Sequence, residues 1–246
     1  MSIKEIIKYI AIQFEIPLTQ NLAYDIYTKR IMKQILVSGS NCIDIGCHKG
    51  EIMDDIMKFA PDGKHYAFEP LPHLYEFLKE KYRNKDITVY SVALFDKKGE
   101  TTFNYVVNAP AYSGIKKRHY DITDAEISEL KVETNLLDNL IPESTRIDFI
   151  KIDVEGAELP VLKGGVKTIH RCKPVIIFEF GIGAADYYAV KPEQVYDFIS
   201  SECGLFISTL KGFLCKNKKL NREEFIRLYT DSREYYFVAH GLEIRS

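Results

Sequence analysis

CIDIGCHKG, residues 42 to 50, runs from two apolar residues through Ile45 to a pair of glycines, Gly46 and Gly50, with an acid, Asp44, just ahead of them. A helical pattern begins directly afterwards. Such a stretch reads as a buried parallel strand ending in a tight turn where a ligand approaches the backbone, because glycine carries no Cβ and takes positive φ at no steric cost. The spacing is D-x-G-x-x-x-G, not the G-x-G-x-x-G of dinucleotide-binding folds. A strand-to-helix turn that keeps two glycines for steric reasons alone looks the same, so the rest of the chain has to decide.

Before this stretch, residues 1–37 read as an N-terminal helical extension. Ile3, Ile6, Ile7, Ile10 and Phe14 fall at helical spacing up to Pro17, and Tyr24, Tyr27, Ile31 and Ile35 make a second stripe. Packing on the domain edge is the expected role, with lid action over the site as a further one. After it, residues 38–246 form one domain in which strands and helices alternate. A helix with Ile52, Met53, Ile56, Met57 and Phe59 breaks at Pro61-Asp62-Gly63, and a strand at 65–68 ends in Glu69-Pro70. A helix with Leu74, Phe77 and Leu78 and a third strand at 87–92 follow, and that order starts a doubly wound parallel sheet. Asp96 to Thr134 breaks the rhythm. Its turn at 96–99 and strand-like segments at 101–107 and 129–133 predict an insertion after strand three, built as an antiparallel pair with a loop. The fourth strand spans 147–154, a helix runs from 157 to 170 with Pro160 in its first turn, and the apolar run VIIFEF marks the fifth strand at 174–180. A helix with Val195, Phe198 and Ile199 ends at Gly204, and two last strands are expected at 205–210 and 235–239. The charged segment from Cys215 to Asp231 between them reads as a surface excursion. The expected fold is α/β and Rossmann-like: a mostly parallel seven-stranded sheet with helices on both faces.

Composition fits one soluble globular domain, with 46% hydrophobic and 28% charged residues among 246. A formal net charge of −2 supplies no basic field for nucleic acid. The five cysteines, at 42, 47, 172, 203 and 215, form no CxxC or Cys/His metal spacing. A reducing, cytoplasmic setting is the expectation. No secretory leader pattern and no apolar run of about 18 residues occurs. Nothing in the sequence signals an oligomeric state.

In an open parallel sheet, ligands bind outside the carboxyl ends of the strands. Those ends carry Asp44, Glu69, Asp153 with Glu155, and Glu179, while strand three offers the segment from Ser91 to Leu94. Burying a carboxylate is costly without partners, so acids at four strand ends point to a polar site. Glu69 sits about 20 residues past the first acid, where a carboxylate accepts both hydroxyls of a ribose.

The run IKIDVEGAELPVLKGG at 150–165, with YAFEP at 66–70, SVAL at 91–94 and the pair Leu137-Asp138, resembles the FkbM family of S-adenosylmethionine-dependent methyltransferases. The turn IDIGCHKG matches that family's D-x-G-A-N-x-G, with Cys47 and His48 replacing a small residue and Asn. The resemblance covers roughly Asn41 to Phe180 and fades beyond Asp186. It implies a class I methyltransferase fold, S-adenosylmethionine as donor, and an oxygen acceptor on a sugar, polyketide or similar small molecule. It also implies that Asp44, Gly46, Cys47, His48, Gly50, Glu69, Pro70, Val92, Ala93 and Ser113 hold the cofactor. Asp44 would meet its ammonium, the amides of residues 46–50 its carboxylate, and His48 would make binding sensitive to pH. Asp153 and Glu155 are the expected catalytic pair, and Glu158 and Glu179 the acceptor-binding ones. No ligand set for a metal is complete. The basic cluster Lys116, Lys117, Arg118 and His119 reads as a solvated loop before it reads as a phosphate site. The principal alternative is a protein that binds S-adenosylmethionine without catalysis, in a regulatory or assembly role. The glycine spacing argues against a dinucleotide oxidoreductase, and the lack of an Asn/Asp-Pro-Pro-aromatic motif argues against base-amine acceptors.

Overall fold

The quoted stretch becomes strand β1 (Cys42–Ile45), buried along its whole length. A computed structural model describes residues 18–108, 113–116, 126–215 and 219–241. The expected helix at 3–14, Tyr112, and Lys117 to His119 lie outside those residues. β1 pairs in parallel with β2 (His65–Phe68) on one side and β7 (Phe149–Ile152) on the other. Around them, β3 (Ile87–Tyr90), β8 (Val175–Glu179), β9 (Phe206–Thr209) and β10 (Tyr236–His240) complete a seven-stranded sheet in the order β3-β2-β1-β7-β8-β10-β9. Only β10 runs against its neighbours. The chain is an α/β protein of the Rossmann-like kind, as expected, with a mostly parallel seven-stranded sheet.

The insertion is a second sheet. β5 (Gly99–Val106) pairs antiparallel with β6 (Ile127–Asn135), as expected. Ala93 and Leu94, read as the tail of strand three, instead form a separate short strand β4, parallel to β6.

Strand side chains alternate between the two faces of a sheet. On one face Ile43, Ile45, Ile150, Ile152, Phe178 and Phe237 join the larger core cluster. On the other, Cys42, Phe149, Ile177 and Val238 pack with Ile31 and Met32 of helix α1 (Gln20–Ile35) and with Met53 and Ile56 of α2 (Glu51–Phe59). By the same alternation Asp44, Lys151, Glu179 and Tyr236 all fall on this second face. The face is therefore apolar in its lower part and charged at the strand ends. No helix among the described residues is long and apolar enough to cross a membrane.

Two helical readings need correction. The helix expected at 157–170 is two, α5 (Glu158–Gly164) and α6 (Val166–Cys172), joined at Gly165. The segment from Cys215 to Asp231 is more than a surface excursion, because it contains a helix at Arg222–Thr230 whose Phe225 and Tyr229 enter the larger core cluster. Asn221 and Glu224 close a reciprocal capping box at its start. The Leu137-Asp138 pair also gains a physical role. Leu137 is in the core, and Asp138 accepts from the amides of Lys167 (3.0 Å) and Thr168 (2.8 Å), capping α6 from a distance. Asp138→Ala should lower the unfolding free energy by roughly 1–2 kcal/mol in chemical denaturation, the usual worth of a helix cap; an unchanged midpoint would deny it that role.

Candidate active site

The turn after β1 is built on close approach. Gly46 and Gly50 have φ of 79° and 80°, and His48 also takes positive φ, at 49°. A Cβ on Gly46 would lie 1.8 Å from the carbonyl oxygen of Asp153. Four of the amides in this turn are engaged within the protein. Gly46 and Cys47 donate to Phe68 O (3.0 and 3.1 Å), His48 to Glu69 Oε2 (2.9 Å), and Gly50 to Cys47 O (2.7 Å). Three of these donors are satisfied at the end of β2 and a fourth within the turn itself, which narrows the expectation that the amides of residues 46–50 hold a carboxylate. Gly50 precedes α2, against the Tyr82 hydroxyl, and lines neither of the two cavities at the strand ends.

Two cavities open at the carboxyl ends of the strands. Both are open to solvent; the first spans about 610 Å3 and the second about 1330 Å3, solvent at their mouths included. Gly46, His48, Asp153 and Glu155 line both, so these four residues form the boundary between them.

Glu69 stands in the first cavity, with Pro70, Val92, Ala93 and Ser113 as further walls. Its two carboxyl oxygens accept from the amides of His48 and Leu71 (2.9 and 3.0 Å), and burial pushes its pKa up to about 7. Each oxygen keeps a second lone pair. Ser113 Oγ accepts from the Val106 amide (3.0 Å), which leaves its hydroxyl hydrogen to donate.

Asp44 stands in the second cavity and is 2% exposed. Its Oδ2 is buried without a hydrogen-bond partner among the described residues. Burial raises its pKa to about 6, against a hydrogen bond from the Cys47 thiol and the charge of Lys151, which lies opposite it in the β1–β7 register. An orphaned carboxylate oxygen is expensive, and a cationic ligand group removes that cost.

Deeper in the second cavity four side chains meet. The Lys151 ammonium is 2.9 Å from Asp153 Oδ2 and 4.6 Å from the centre of the Tyr236 ring. The Tyr236 hydroxyl donates to Asp153 Oδ2 (2.7 Å) and lies 3.1 Å from Glu179 Oε2. Burial works to raise the pKa of Asp153, but the Lys151 charge and the hydrogen bonds it accepts hold it below the usual carboxylate range. Burial, with the charges of Asp153 and Glu155, pushes Glu179 well above that range. Asn21, Tyr24 and Asp25 of α1 and Tyr235 complete the wall, with the ring of Tyr24 5.0 Å from Tyr236 and edge-on to Tyr235 at 4.8 Å.

The structure thus brings together most of the expected site residues, with Glu155 at the boundary in a left-handed conformation (φ 58°). Gly50 and Glu158 are the exceptions, since neither lines either cavity. Glu158 is buried, and its Oε1 accepts from Gly156 (3.0 Å) and Val154 (3.4 Å), so it braces the loop after β7. The side chain of His48 lies 3.8 Å from Glu51 Oε2. Lys151, Tyr236, Tyr24 and Tyr235 were not expected. A lysine inside the apolar run FIKI was the available signal for the first, since a lone charge in a buried strand needs a partner.

A family model described as "Methyltransferase FkbM domain" matches residues 44–205. The match takes in the four strand-end acids but neither α1 nor β10. Among curated proteins, the chain is similar to 2-O-methyltransferase NoeI of Sinorhizobium fredii, with 26% identity over 149 residues, 53% of this chain and 59% of that protein. It is similar as well to methyltransferase sdnD of Sordaria araneosa, with 28% identity over 159 residues, 52% of this chain and 61% of that protein. The matched region thus spans about three-fifths of either relative, 59% and 61%. Among solved structures, methyltransferase FkbM from Methylobacillus flagellatus KT aligns with a TM-score of 0.52 at 15% identity, over 83% of this chain and 44% of that one, which shows a shared fold.

Proposed function

This chain belongs to the FkbM methyltransferase family, and from that premise we propose that it transfers a methyl group from S-adenosylmethionine to a hydroxyl of a small molecule, a sugar or glycan. The residues present fit the donor. Asp44, with its unpartnered Oδ2, suits the ammonium; Glu69 suits the ribose diol; Pro70, Val92 and Ala93 offer apolar walls to a base. When bound, S-adenosylmethionine supplies a methyl carbon on a positively charged sulfur and leaves as the neutral thioether once the acceptor oxygen has taken the methyl and given up its proton. In this reading Asp153, which lines both cavities, orients the acceptor hydroxyl and takes that proton.

One observation carries the acceptor class: the second cavity is walled by carboxylates, an amide and three tyrosines where an apolar tunnel would suit a polyketide. Carboxylates and phenols hydrogen-bond hydroxyls, and flat rings accept the C–H face of a sugar. The name of NoeI, a 2-O-methyltransferase, is in keeping with an oxygen acceptor. The test is transfer of an isotope-labelled methyl group from S-adenosylmethionine to a panel of neutral saccharides and apolar polyketides. Label in a saccharide hydroxyl supports the reading; label in the polyketides alone overturns it.

Affinity for S-adenosylhomocysteine should depend on pH. Burial raises Asp44 from 3.8 to about 6 and Glu69 from 4.5 to about 7. In the free protein the stability tied to their neutral forms is complete below about pH 4 and is lost as pH rises through about 6 to 7. A bound ammonium and diol favour the charged forms, so binding expels protons within that window. Affinity is expected to rise several-fold between about pH 5 and 7, with proton release in calorimetry run in buffers of differing ionisation enthalpy. A flat profile without proton release would remove these carboxylate contacts.

A further inference from the structure

Tyr236 has one hydroxyl hydrogen and two carboxyl oxygens within hydrogen-bonding reach, Asp153 Oδ2 at 2.7 Å and Glu179 Oε2 at 3.1 Å. A phenol donates one hydrogen bond. With both acids ionised, one oxygen would face the lone pairs of the phenol oxygen with no hydrogen between them, and two negative charges would meet at one phenol oxygen. The geometry closes when one of the two acids carries a proton and donates it to the phenol oxygen. Lys151 decides which, because its ammonium sits 2.9 Å from Asp153 Oδ2.

We propose that Glu179 is a neutral carboxylic acid at physiological pH and heads a hydrogen-bonded chain in which Glu179 donates to Tyr236, Tyr236 donates to Asp153, and Lys151 pairs with the same Asp153 oxygen. The chain fixes a single negative charge on Asp153 at the boundary between the cavities. Lys151, Tyr236 and Glu179 are then positioning residues for the acceptor hydroxyl, a consequence that rests on the methyl-transfer reading of Asp153 above.

The surroundings agree. Facing Glu179 are Asp153 and Glu155 from the end of β7 and its loop, Lys151 from β7, and Tyr235 and Tyr236 from the β10 side; Asp44 of β1 faces Lys151 and Asp153. Burial first, then the negative neighbours Asp153 and Glu155, push Glu179 upward, and Lys151 only partly opposes them. Asp153 is shifted the other way. Like charges at close range split their titrations in this manner, the proton staying on the partner with less compensation. Two of the four residues were hidden in sequence: Tyr236 lies outside the stretch matched by the family model, and Lys151 lies inside an apolar run.

The test is a carbon-13 NMR titration of the side-chain carboxyls in the whole protein without ligand, with Glu179 identified by the signal lost in Glu179→Gln and Asp153 by that lost in Asp153→Asn. Glu179 is expected to ionise above pH 7 and Asp153 well below it. Tyr236→Phe, which removes one hydroxyl and little bulk, should bring the two transitions closer together, and Lys151→Met should move Asp153 upward. Ionisation of Glu179 near the ordinary value of about 4.3 would overturn the proposal, as would unchanged transitions in Tyr236→Phe.

Turnover gives a second readout. Glu179→Gln keeps a donor for Tyr236 and should retain activity within several-fold while flattening the alkaline limb of the pH profile. Glu179→Ala should lose at least tenfold. Equal loss in both variants would mean that the side chain only fills space and would sink the role of the proton. The failures are separable: an elevated Glu179 with no acceptor methylated would defeat the methyl-transfer reading alone, and methylation with an ordinary Glu179 would defeat the chain alone.

Discussion

Asp153→Asn is expected to lower turnover by about 10²- to 10⁴-fold, the range for loss of one positioned proton acceptor, while affinity for S-adenosylhomocysteine stays within a few-fold. The two effects separate because different strands carry them. Asp44 and Glu69, the carboxylates assigned to the donor, stand at the ends of β1 and β2, whereas Asp153 stands past β7 at the boundary of the two cavities. Asparagine matches aspartate in size and keeps an oxygen for Lys151 and Tyr236, so the wall should hold its shape. It loses the negative charge that opposes Lys151, which is 3% exposed. A stability cost on the order of 1–3 kcal/mol is therefore expected as well. Denaturation curves recorded beside the kinetics keep that cost apart from the chemical one. Undiminished turnover on a true acceptor would take Asp153 out of the mechanism.

How much of this was legible in the sequence follows from where each residue gets its neighbours. Asp44, Glu69, Asp153 and Glu179 each end an apolar run, and once those runs are accepted as parallel strands their ends must share one edge of the sheet. Four acids could therefore be gathered from spacing alone. Tyr236 could not, because its contact with Glu179 depends on β10 inserting antiparallel between β8 and β9, a pairing with no local signature. Lys151 carried a signal, a charge in a buried strand, but its partner was fixed only by side-chain alternation on the sheet. Helix Arg222–Thr230 was legible too: Asn221 and Glu224 form the capping pattern, and Phe225 and Tyr229 sit one turn apart. The dense charge around them obscured it.

The same comparison shows why the acid list was too generous at Glu158 and too simple at the turn. A carboxylate in the first turn of a helix reads as a dipole partner or a ligand group, and only the backbone path shows that the amides of Gly156 and Val154 fold back onto it. At the turn after β1, the glycines do take left-handed φ, but the amides of Gly46, Cys47 and His48 face Phe68 and Glu69, and that of Gly50 turns back to Cys47. Glu69 thus does two things. It holds the turn through His48, and it keeps free lone pairs directed into the first cavity. The turn and the acid of the next strand are one mechanical unit, joined by the His48 amide, a contact that does not use the side chain at that position.

Gly46→Ala tests that unit. The change is expected to lower the unfolding free energy by about 3–5 kcal/mol and to weaken S-adenosylhomocysteine binding by at least a hundredfold. A methyl group there would stand 1.8 Å from Asp153 O and 2.9 Å from its carbonyl carbon, both backbone atoms that no rotamer change can move away, and φ of 79° adds strain for any residue with a Cβ. Relief requires the turn and the end of β7 to separate. That shift would break the Gly46 and Cys47 bonds to Phe68 O, carry Asp153 off the boundary, and open the wall where the two cavities meet. Gly39→Ala is the control: it has open space around its Cβ and should stay within about 0.5 kcal/mol of the parent in the same denaturation series. If Gly46→Ala folded and bound like the parent, the two glycines would be incidental to the site. If it folded but failed to bind, the cost would sit in the cavity boundary itself, where the proposed reaction would carry the methyl from donor to acceptor.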